Sequence, residues 1–217
     1  MQFNPSEAEV AGVLIAAGRE VGAKALTWGA AGNISGRLPD GGFLISASGA
    51  VLGDLTCERL VRCDADGAPR PGSPRPSVET GLHAAVYQAR PDVRAVLHAS
   101  PFYATLVASA AIPIEPFLTT DTTFYVREVR RVPFCAPGSD GLARAVAGHA
   151  TGCDALLLDN HGAVTLGATP AAAVTRLEAL ELLCRLLTYG ALGVPLRPLQ
   201  FDQARAMLIA LARHGSA

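Results

Sequence analysis

The chain has 217 residues and a formal net charge of −1, and half of its residues are hydrophobic. Its basic residues form no stripe interleaved with aromatic residues, which argues against nucleic acid as a partner. No apolar run reaches the roughly 18–20 residues of a membrane span, and the N-terminal MQFNPSEAEV lacks the charged and then apolar pattern of a signal peptide. We therefore expect a single cytoplasmic domain over residues 1–217 that binds neither nucleic acid nor a membrane.

Cysteine usage and hydropathy refine this expectation. The five cysteines are scattered and form no CxxC pair, so we predict reduced, mostly buried thiols. The mean hydropathy of +0.29 is high for a soluble monomer. Alanine contributes to that value, but spare apolar surface also suggests a subunit interface.

Helices and extended segments follow one another without a regular βαβ repeat. In its first part the pattern predicts a helix over 6–24, a hairpin of strands at 34–38 and 43–47, and a loop at 67–76. In its middle part it predicts a helix over 77–89, a strand at 93–98, a helix over 101–110, and extended segments at 112–118 and 124–133. In its last part it predicts a helix over 139–148, a strand, turn and strand over 154–167, and helices over 169–189 and 202–213. No glycine-rich phosphate loop follows a predicted strand. We expect a three-layer α/β/α sandwich around a central, largely antiparallel sheet.

Two of the five histidines stand at the ends of predicted strands. His98 follows VRAVL and His161 follows ALLLDN. Strand ends are rigid, and two neighbouring strands could bring the two imidazoles close enough to bind Zn²⁺. A single histidine is more often a hydrogen-bonded structural residue, so the spacing alone leaves both interpretations open.

Glu79 begins a predicted helix, and His83 lies four residues further along the same helical face. The carboxylate could simply be favoured by the helix N-terminus. It could also serve as a general base or a metal ligand that faces the histidines. For His83 a packing or orienting role is favoured over that of a fourth ligand.

Four short polar or glycine residues occupy predicted turns. Such residues populate turns for local reasons, but hydroxyls, an amide and backbone N–H groups could also form an anion pocket. Local sequence does not decide between these alternatives. The four residues are Asn33, Ser48, Gly49 and Ser77.

Five motifs occur in an order and spacing that resemble a known family. They are GNIS (32–35), ISASG (45–49), PSVE (76–79), HAAVYQARPDVRAVLH (83–98) and NHGAVTLG (160–167). The set resembles the class II aldolase/adducin superfamily, which includes L-fuculose-1-phosphate aldolase and L-ribulose-5-phosphate 4-epimerase. The resemblance covers about residues 6–190. It implies a central antiparallel sheet with helices on both faces, and a homotetramer with sites near the subunit interfaces.

The resemblance also implies a chemistry and the residues that carry it. In family enzymes a divalent cation, usually Zn²⁺, binds both oxygens of a ketose or enediolate, while Mn²⁺, Co²⁺ or Fe²⁺ can take its place. Histidines hold the cation, and a glutamate acts as acid or base, provided that burial raises its pKa towards neutrality. These roles fall on His98, His161 and Glu79. The substrate phosphate is implied to lie against Asn33, Ser48, Gly49 and Ser77.

Three positions depart from the family pattern. The H-x-H motif ends in Ser100, and a neutral hydroxyl is a poorer Zn²⁺ ligand than imidazole, so we group Ser100 with the substrate-binding residues. Val78 replaces a serine that would bind phosphate. Phe117 aligns with a tyrosine proton donor, and Tyr125 would replace it only if the alignment shifted.

These features favour a carbon–carbon lyase, either an aldolase or a decarboxylase, that cleaves a small hydroxy-carbonyl or hydroxy-acid substrate. A cation at the site would stabilise the negative charge that develops on oxygen. One alternative is a metal-independent isomerase or dehydratase that uses the same pocket. Another is a non-catalytic, adducin-like binding module, although a pure scaffold has no need of His98, His161 and Glu79 together.

Overall fold

The computed structural model describes residues 5–213 and places seven strands of this range in one sheet. The strands are β1 (Asn33–Arg37), β2 (Phe43–Ser46), β3 (Leu60–Cys63), β4 (Ala95–Ala99), β5 (Arg130–Val132), β6 (Ala155–Leu158) and β7 (Gly162–Gly167). Their order is β3-β2-β1-β4-β7-β6-β5, and every neighbouring pair is antiparallel except β5 and β6. The predicted, largely antiparallel sheet is therefore confirmed.

Helices cover both faces of this sheet. They are α1 (Glu7–Ala23), α2 (Thr80–Ala89), α3 (Phe102–Ala108), α4 (Thr120–Tyr125), α5 (Asp140–Ala150), α6 (Pro170–Ala191) and α7 (Phe201–Arg213), with single 3-10 turns at Leu52–Asp54 and Cys57–Arg59. The α1, α3 and α6 helices bury their apolar faces in one core, while α2 and α5 pack together over the other face. The three-layer sandwich is thus confirmed. Among the described helices, none is both long and apolar enough to cross a membrane.

Two extended segments are placed differently from the sequence prediction. Residues 112–118 contain no strand, and only Arg130–Val132 of the predicted segment 124–133 lies in the sheet. Part of the remainder belongs to α4, whose first residue follows Thr119. The Thr119 hydroxyl accepts a hydrogen bond from the Thr122 backbone N–H, and the Thr122 hydroxyl accepts one from the Thr119 backbone N–H. This reciprocal cap outweighs the strand preference of the threonine and aromatic side chains.

All five cysteines are free thiols, as the sequence predicted. Cys63, Cys153 and Cys184 are buried, and Cys57 is exposed. Burial raises the pKa of the Cys63 thiol to about 11. This thiol is therefore protonated at neutral pH and behaves as a small apolar core residue.

The three central strands bring the predicted site residues to one edge of the sheet. Asn33 at the start of β1 is paired with His98 near the end of β4. His98 is also paired with Val164 of β7, and His161 immediately precedes that strand. The N-terminus of α2 places Glu79 beside them. The antiparallel register, rather than proximity along the chain, therefore determines which side chains meet.

Gly162 allows β7 to approach the end of β4 closely. A Cβ at this position would lie 2.6 Å from the Ala99 carbonyl oxygen and 3.0 Å from Ser100 Oγ. Contacts this short require the backbone or the Ser100 side chain to shift. The glycine thus sets the spacing between the two strands that carry the histidines.

We predict that Gly162→Ala lowers the free energy of unfolding by about 1–3 kcal/mol, because the new methyl group overpacks the β4–β7 contact. Gly148→Ala is the matched control, since no atom lies within 4 Å of a Cβ there and alanine favours a helix interior by up to about 1 kcal/mol. Urea unfolding of both variants measures the difference. Equal stability of Gly162→Ala and the wild type would contradict the prediction.

Candidate active site

Glu79, His98 and His161 form a compact buried cluster. One potential ligand atom from each residue lies within 4.8 Å of the other two. Glu79 Oε2 lies 3.4 Å from His98 Nε2, and Glu79 Oε1 lies 3.4 Å from His161 Nε2. The Glu79 and His98 side chains are almost completely buried, whereas that of His161 is 17% exposed. The structure therefore brings together the three residues that the sequence singled out as metal ligands or acid–base groups.

A backbone contact fixes the tautomer of His98. Its Nδ1 lies 3.0 Å from the carbonyl oxygen of Ala163, and a carbonyl oxygen can only accept a hydrogen bond. Nδ1 therefore carries the proton in the neutral ring, and the lone pair of Nε2 points towards Glu79. This arrangement is typical of metal-binding histidines, whose second nitrogen donates to a backbone carbonyl.

Polar atoms of the cluster are buried without hydrogen-bond partners. Within residues 5–213, Glu79 Oε1 and His161 Nδ1 have none. Burial, followed by the proximity of His98, lowers the pKa of His161, so its ring is neutral at pH 7 and offers no positive charge to the carboxylate. A buried, unpaired carboxylate oxygen is costly. A divalent cation would neutralise it, and two imidazoles with one carboxylate form a known catalytic zinc donor set, so these residues fit such an ion.

A chain of hydrogen bonds orients Glu79. Asn33 Nδ2 donates to Glu79 Oε2 at 2.8 Å, and Asn33 Oδ1 lies 2.5 Å from His83 Nε2. Because an amide oxygen only accepts, His83 donates from Nε2 and must accept at Nδ1, which lies 2.6 Å from Ser35 Oγ. Ser35 Oγ lies 2.7 Å from the Tyr87 hydroxyl, which completes the chain. Each group in the chain can donate to the next, starting from the Tyr87 hydroxyl and ending at the Glu79 carboxylate.

His83 is therefore an orienting residue, in agreement with the role favoured by its sequence position. It is fully buried, and this burial lowers its pKa to about 3, so the ring stays neutral as the hydrogen-bond chain requires. Sequence reasoning missed Ser35 and Tyr87. Both carried a usable signal, since Ser35 faces the same side of β1 as Asn33 and Tyr87 follows His83 by one helical turn.

The protonation state of Glu79 differs from the sequence expectation. Burial acts to raise its pKa, but the nearby His98 and His161 rings and the hydrogen bond from Asn33 outweigh burial and lower it. The condition of a pKa raised towards neutrality is therefore not met. Glu79 is a carboxylate at neutral pH, suited to binding a cation or accepting a proton rather than donating one.

The residues assigned to anion binding lie in two environments. Ser77 Oγ accepts a hydrogen bond from the Glu79 backbone N–H at 3.3 Å, and Asn33 is bonded to Glu79 and His83 as described above. Ser48 and Gly49 form a more exposed turn, in which Gly49 has a φ of +71°. A hydrogen bond of 3.2 Å from Ser77 N to Ser46 O connects this turn region to the residues around Glu79.

The three departures from the family pattern also have defined positions. Ser100 Oγ donates to the carbonyl oxygen of His161 at 3.3 Å, so it braces the turn that carries His161. The Val78 side chain is largely exposed. The ring of Phe117 packs against Phe201 of α7 with a centroid separation of 6.4 Å, and Tyr125 is partly exposed at the end of α4.

The fold and the buried cluster together describe an enzyme site on an α/β/α sandwich, and comparison with known proteins identifies its family. The family model "Class II Aldolase and Adducin N-terminal domain" matches residues 13–188. The chain belongs to this family.

Individual relatives narrow the reaction class. The 3-oxo-tetronate 4-phosphate decarboxylase of Escherichia coli O6:H1 is 34% identical over 163 residues, which cover 73% of this chain and 76% of that protein. The crystal structure of YgbL from Klebsiella pneumoniae is 30% identical, covers 94% of this chain and 99% of its own, and has a TM-score of 0.85. The methylthioribulose-1-phosphate dehydratase of Gluconacetobacter diazotrophicus is 45% identical over 76 residues, which cover 35% of this chain and 37% of that protein. The predicted carbon–carbon lyase is confirmed at the level of reaction class.

We predict a distinct loss of stability at acidic pH that originates at His83. The unfolded chain binds a proton at this imidazole near pH 6.5, whereas the folded protein does so only near pH 3. Between these pH values the unfolded state binds more protons at His83 than the folded state does. The contribution of His83 to the free energy of unfolding therefore falls as the pH falls, by up to about 1.4 kcal/mol per pH unit. Urea unfolding from pH 7 to pH 5 measures the slope.

His83→Gln is the variant to compare, because glutamine does not titrate in this range. Its baseline stability is expected to be lower, since the hydrogen bonds to Asn33 and Ser35 are disturbed. Its dependence on pH should nevertheless be shallower than that of the wild type. Identical slopes in the two proteins would show that another group dominates the acid response.

Proposed function

We propose that the chain is a divalent-metal-dependent decarboxylase of a short 3-oxo sugar acid that carries a terminal phosphate. The observation that carries the proposal is the cluster of Glu79, His98 and His161, in which a buried carboxylate oxygen has no partner among the described residues. The 34% identical relative named 3-oxo-tetronate 4-phosphate decarboxylase supports the substrate class. The cytoplasmic location, the homotetramer and the single-domain organisation remain predictions from the sequence.

The proposed metal ligands are His98 through Nε2, His161 and Glu79. Zn²⁺ is the metal that this combination of imidazole and carboxylate favours, while Mn²⁺, Co²⁺ and Fe²⁺ accept the same donor types. When bound, such a cation supplies a Lewis acid that stabilises negative charge on a carbonyl oxygen. Asn33 and His83 hold the Glu79 carboxylate in place for this role.

Phe117, which stands where the family pattern has a tyrosine proton donor, favours decarboxylation over aldol cleavage. When a 3-oxo acid loses CO₂, the bond between the carboxylate carbon and C2 breaks, and its electron pair moves into an enolate. No base is needed to begin this step, because the leaving carboxylate is already ionised. Aldol cleavage instead needs a base for the hydroxyl proton and a donor for the carbanion, and Phe117 cannot serve as that donor.

In this proposal Glu79 contributes as a fixed negative group. Its lowered pKa keeps it ionised, so the proton that ends on C2 of the product comes from solvent. The almost complete burial of Glu79 and His98 limits the access of water to the inner side of the cluster. Water therefore reaches the cluster from the side of His161, whose side chain is 17% exposed.

The main alternative is a dehydratase that uses the same pocket. The local identity of 45% with a methylthioribulose-1-phosphate dehydratase favours it, although this match covers only 35% of the chain. Dehydration would require Glu79 to remove a proton next to the carbonyl, for which an ionised carboxylate is suited. A non-catalytic binding module has no need of a carboxylate buried between two imidazoles, and burying Glu79 there costs free energy.

An assay of released CO₂ tests the proposed reaction. Purified protein supplied with Zn²⁺ or Mn²⁺ is expected to release one CO₂ for each 3-oxo-tetronate 4-phosphate consumed. Glu79→Gln should lower kcat/KM by at least about 100-fold, because it removes a charged ligand or base. Substrate consumption without CO₂ release, or turnover of methylthioribulose 1-phosphate with loss of water, would replace decarboxylation by dehydration.

We predict one bound divalent metal per chain, with an affinity that depends on the cluster. His161→Ala should weaken Zn²⁺ binding by about 10- to 100-fold or more, measured by competition with a chromophoric chelator. Ser100→Ala is an informative comparison, because it removes only the hydrogen bond to the His161 carbonyl oxygen. We expect it to weaken binding less than His161→Ala does, with little change in the far-UV circular dichroism spectrum.

Ser100→His tests whether the serine replaced a ligand. If an imidazole here can reach the ion, Zn²⁺ affinity rises above that of the wild type. Higher affinity with lower CO₂ release would show that the serine serves the reaction better than a third imidazole. Zn²⁺ binding that is unchanged in both His161→Ala and Glu79→Gln would contradict the proposed ligand set.

A further inference from the structure

The Ser48–Gly49 turn lies between two arginine residues. The Ala47 N–H donates to the Arg59 carbonyl oxygen at 2.8 Å, and the Ser48 N–H donates to the Arg75 carbonyl oxygen at 2.9 Å. Ala47 also forms an isolated bridge with Pro76. The backbone on each side of the turn is thereby held in place, and the top of the turn is left facing outwards.

The guanidinium group of Arg59 reaches over this turn. Its Nη2 donates to the Ser48 carbonyl oxygen at 3.3 Å. A Cβ built on Gly49 would have Arg59 Nη2, at 4.0 Å, as its one neighbouring atom within that distance, so the space beside the glycine is open apart from the guanidinium. Within the described residues, neither Arg59 nor Arg75 forms an ion pair with a carboxylate.

Other donors at the turn are free as well. Within residues 5–213, the Gly49 N–H and the Ser48 hydroxyl donate to no protein atom. Gly49 has a φ of +71°, a backbone conformation found in turns whose N–H groups form anion-binding concavities. A free hydroxyl, a free N–H and a guanidinium without an ion-pair partner therefore all belong to the turn that has this open space.

This space is connected to the proposed active site. Ser77 donates from its backbone N–H to Ser46 O at 3.2 Å and accepts at Oγ from the Glu79 N–H at 3.3 Å. The Ser48–Gly49 turn is thus held through Ser77 to the residue that begins α2 and belongs to the metal cluster. A short substrate with its reacting carbonyl at the cluster would have its far end near this turn.

We infer that Arg59 is the residue that binds the terminal phosphate of the substrate, together with the Ser48 hydroxyl and the Gly49 N–H. This inference rests on the proposed function and names a residue that the family resemblance does not assign. A phosphate group carries about two negative charges near neutral pH, and a guanidinium group binds it with two parallel hydrogen bonds. Val78 offers no hydroxyl at the neighbouring position, so the neutral donors of the turn are few.

A cation at this turn supplies an attraction for phosphate that the chain as a whole does not. The whole chain has a net charge of −1 and therefore produces no general attraction for an anion. The hydrogen bond to the Ser48 carbonyl uses one of the five N–H groups of Arg59, and this exposed side chain makes no other hydrogen bond within the described residues. Arg75 differs, because its contact with the turn is through its backbone carbonyl and it makes no side-chain hydrogen bond within the described range.

The experiment compares phosphate binding in matched arginine variants. Calorimetric titration with inorganic phosphate is carried out on the wild type, Arg59→Gln, Arg59→Lys and Arg75→Gln. We expect Arg59→Gln to weaken binding about tenfold or more, since it removes charge-assisted hydrogen bonds, and Arg59→Lys to have an intermediate effect because it keeps only the charge. Arg75→Gln removes the same charge beside the same turn and should change the affinity by less than about twofold.

A second set of titrations separates phosphate bound at the turn from phosphate bound to a metal ion in the cluster. The same titrations in His161→Ala report the binding that does not depend on the cluster. The Arg59 effect should persist there. Equal losses in Arg59→Gln and Arg75→Gln would indicate a general charge effect and would overturn the inference, as would unchanged affinity in Arg59→Gln with an unchanged melting temperature.

Kinetics distinguish failure of this inference from failure of the proposed function. If CO₂ release occurs, Arg59→Gln should raise KM for the phosphorylated substrate and leave kcat within about threefold, because phosphate binding lies away from the reacting bond. CO₂ release that is unchanged in Arg59→Gln would disprove the role of Arg59 and preserve the decarboxylase. Phosphate binding that depends on Arg59, with no CO₂ release by the wild type, would disprove the decarboxylase and support the anion site.

Discussion

The burial of the Glu79 carboxylate is the constraint on which the site depends. Its side chain is about 5% exposed, and it faces two imidazoles that are not both able to carry a compensating charge. Asn33 donates to Oε2, and Oε1 has no hydrogen-bond partner in the described structure. An isolated buried carboxylate costs several kcal/mol, so a fold that retains one at this point is organised to bind a positive group there. The hydrogen-bond chain through His83, Ser35 and Tyr87 fixes the orientation of that carboxylate.

The sequence was sufficient for the architecture and for the members of the cluster, but not for the network behind them. Apolar runs ending in His98 and His161 predicted two strand ends, and the motifs carried by the family resemblance predicted that these ends meet. The half-buried edge strand β3 was missed because its four residues, Leu60–Cys63, give too short an alternating pattern. Ser35 and Tyr87 were missed because the partner of a hydrogen-bonding side chain depends on strand register and helix placement, which local sequence does not specify.

Ser100 shows how one replacement changes the role of a position. The family motif implies a ligand there, and the hydroxyl instead donates to the carbonyl of His161. Together with the close packing of Gly162 against Ala99 and Ser100, this contact holds the backbone of the turn that carries His161. The residue at the position of a potential ligand thus supports the backbone of a remaining one. A metal held by three protein groups would leave more coordination positions for a substrate with two oxygen donors.

Electrostatic balance connects the cluster to the Ser48–Gly49 turn. A 3-oxo acid phosphate carries about three negative charges, one on the carboxylate and about two on the phosphate. A divalent cation beside one ionised Glu79 and two neutral histidines leaves a local charge of about +1, which does not neutralise such a substrate. With the proposed substrate, the positive charge of Arg59 would complement the cluster instead of duplicating it. A phosphate contact at Arg59 would then be kept by the phosphorylated product when the carboxylate leaves as CO₂.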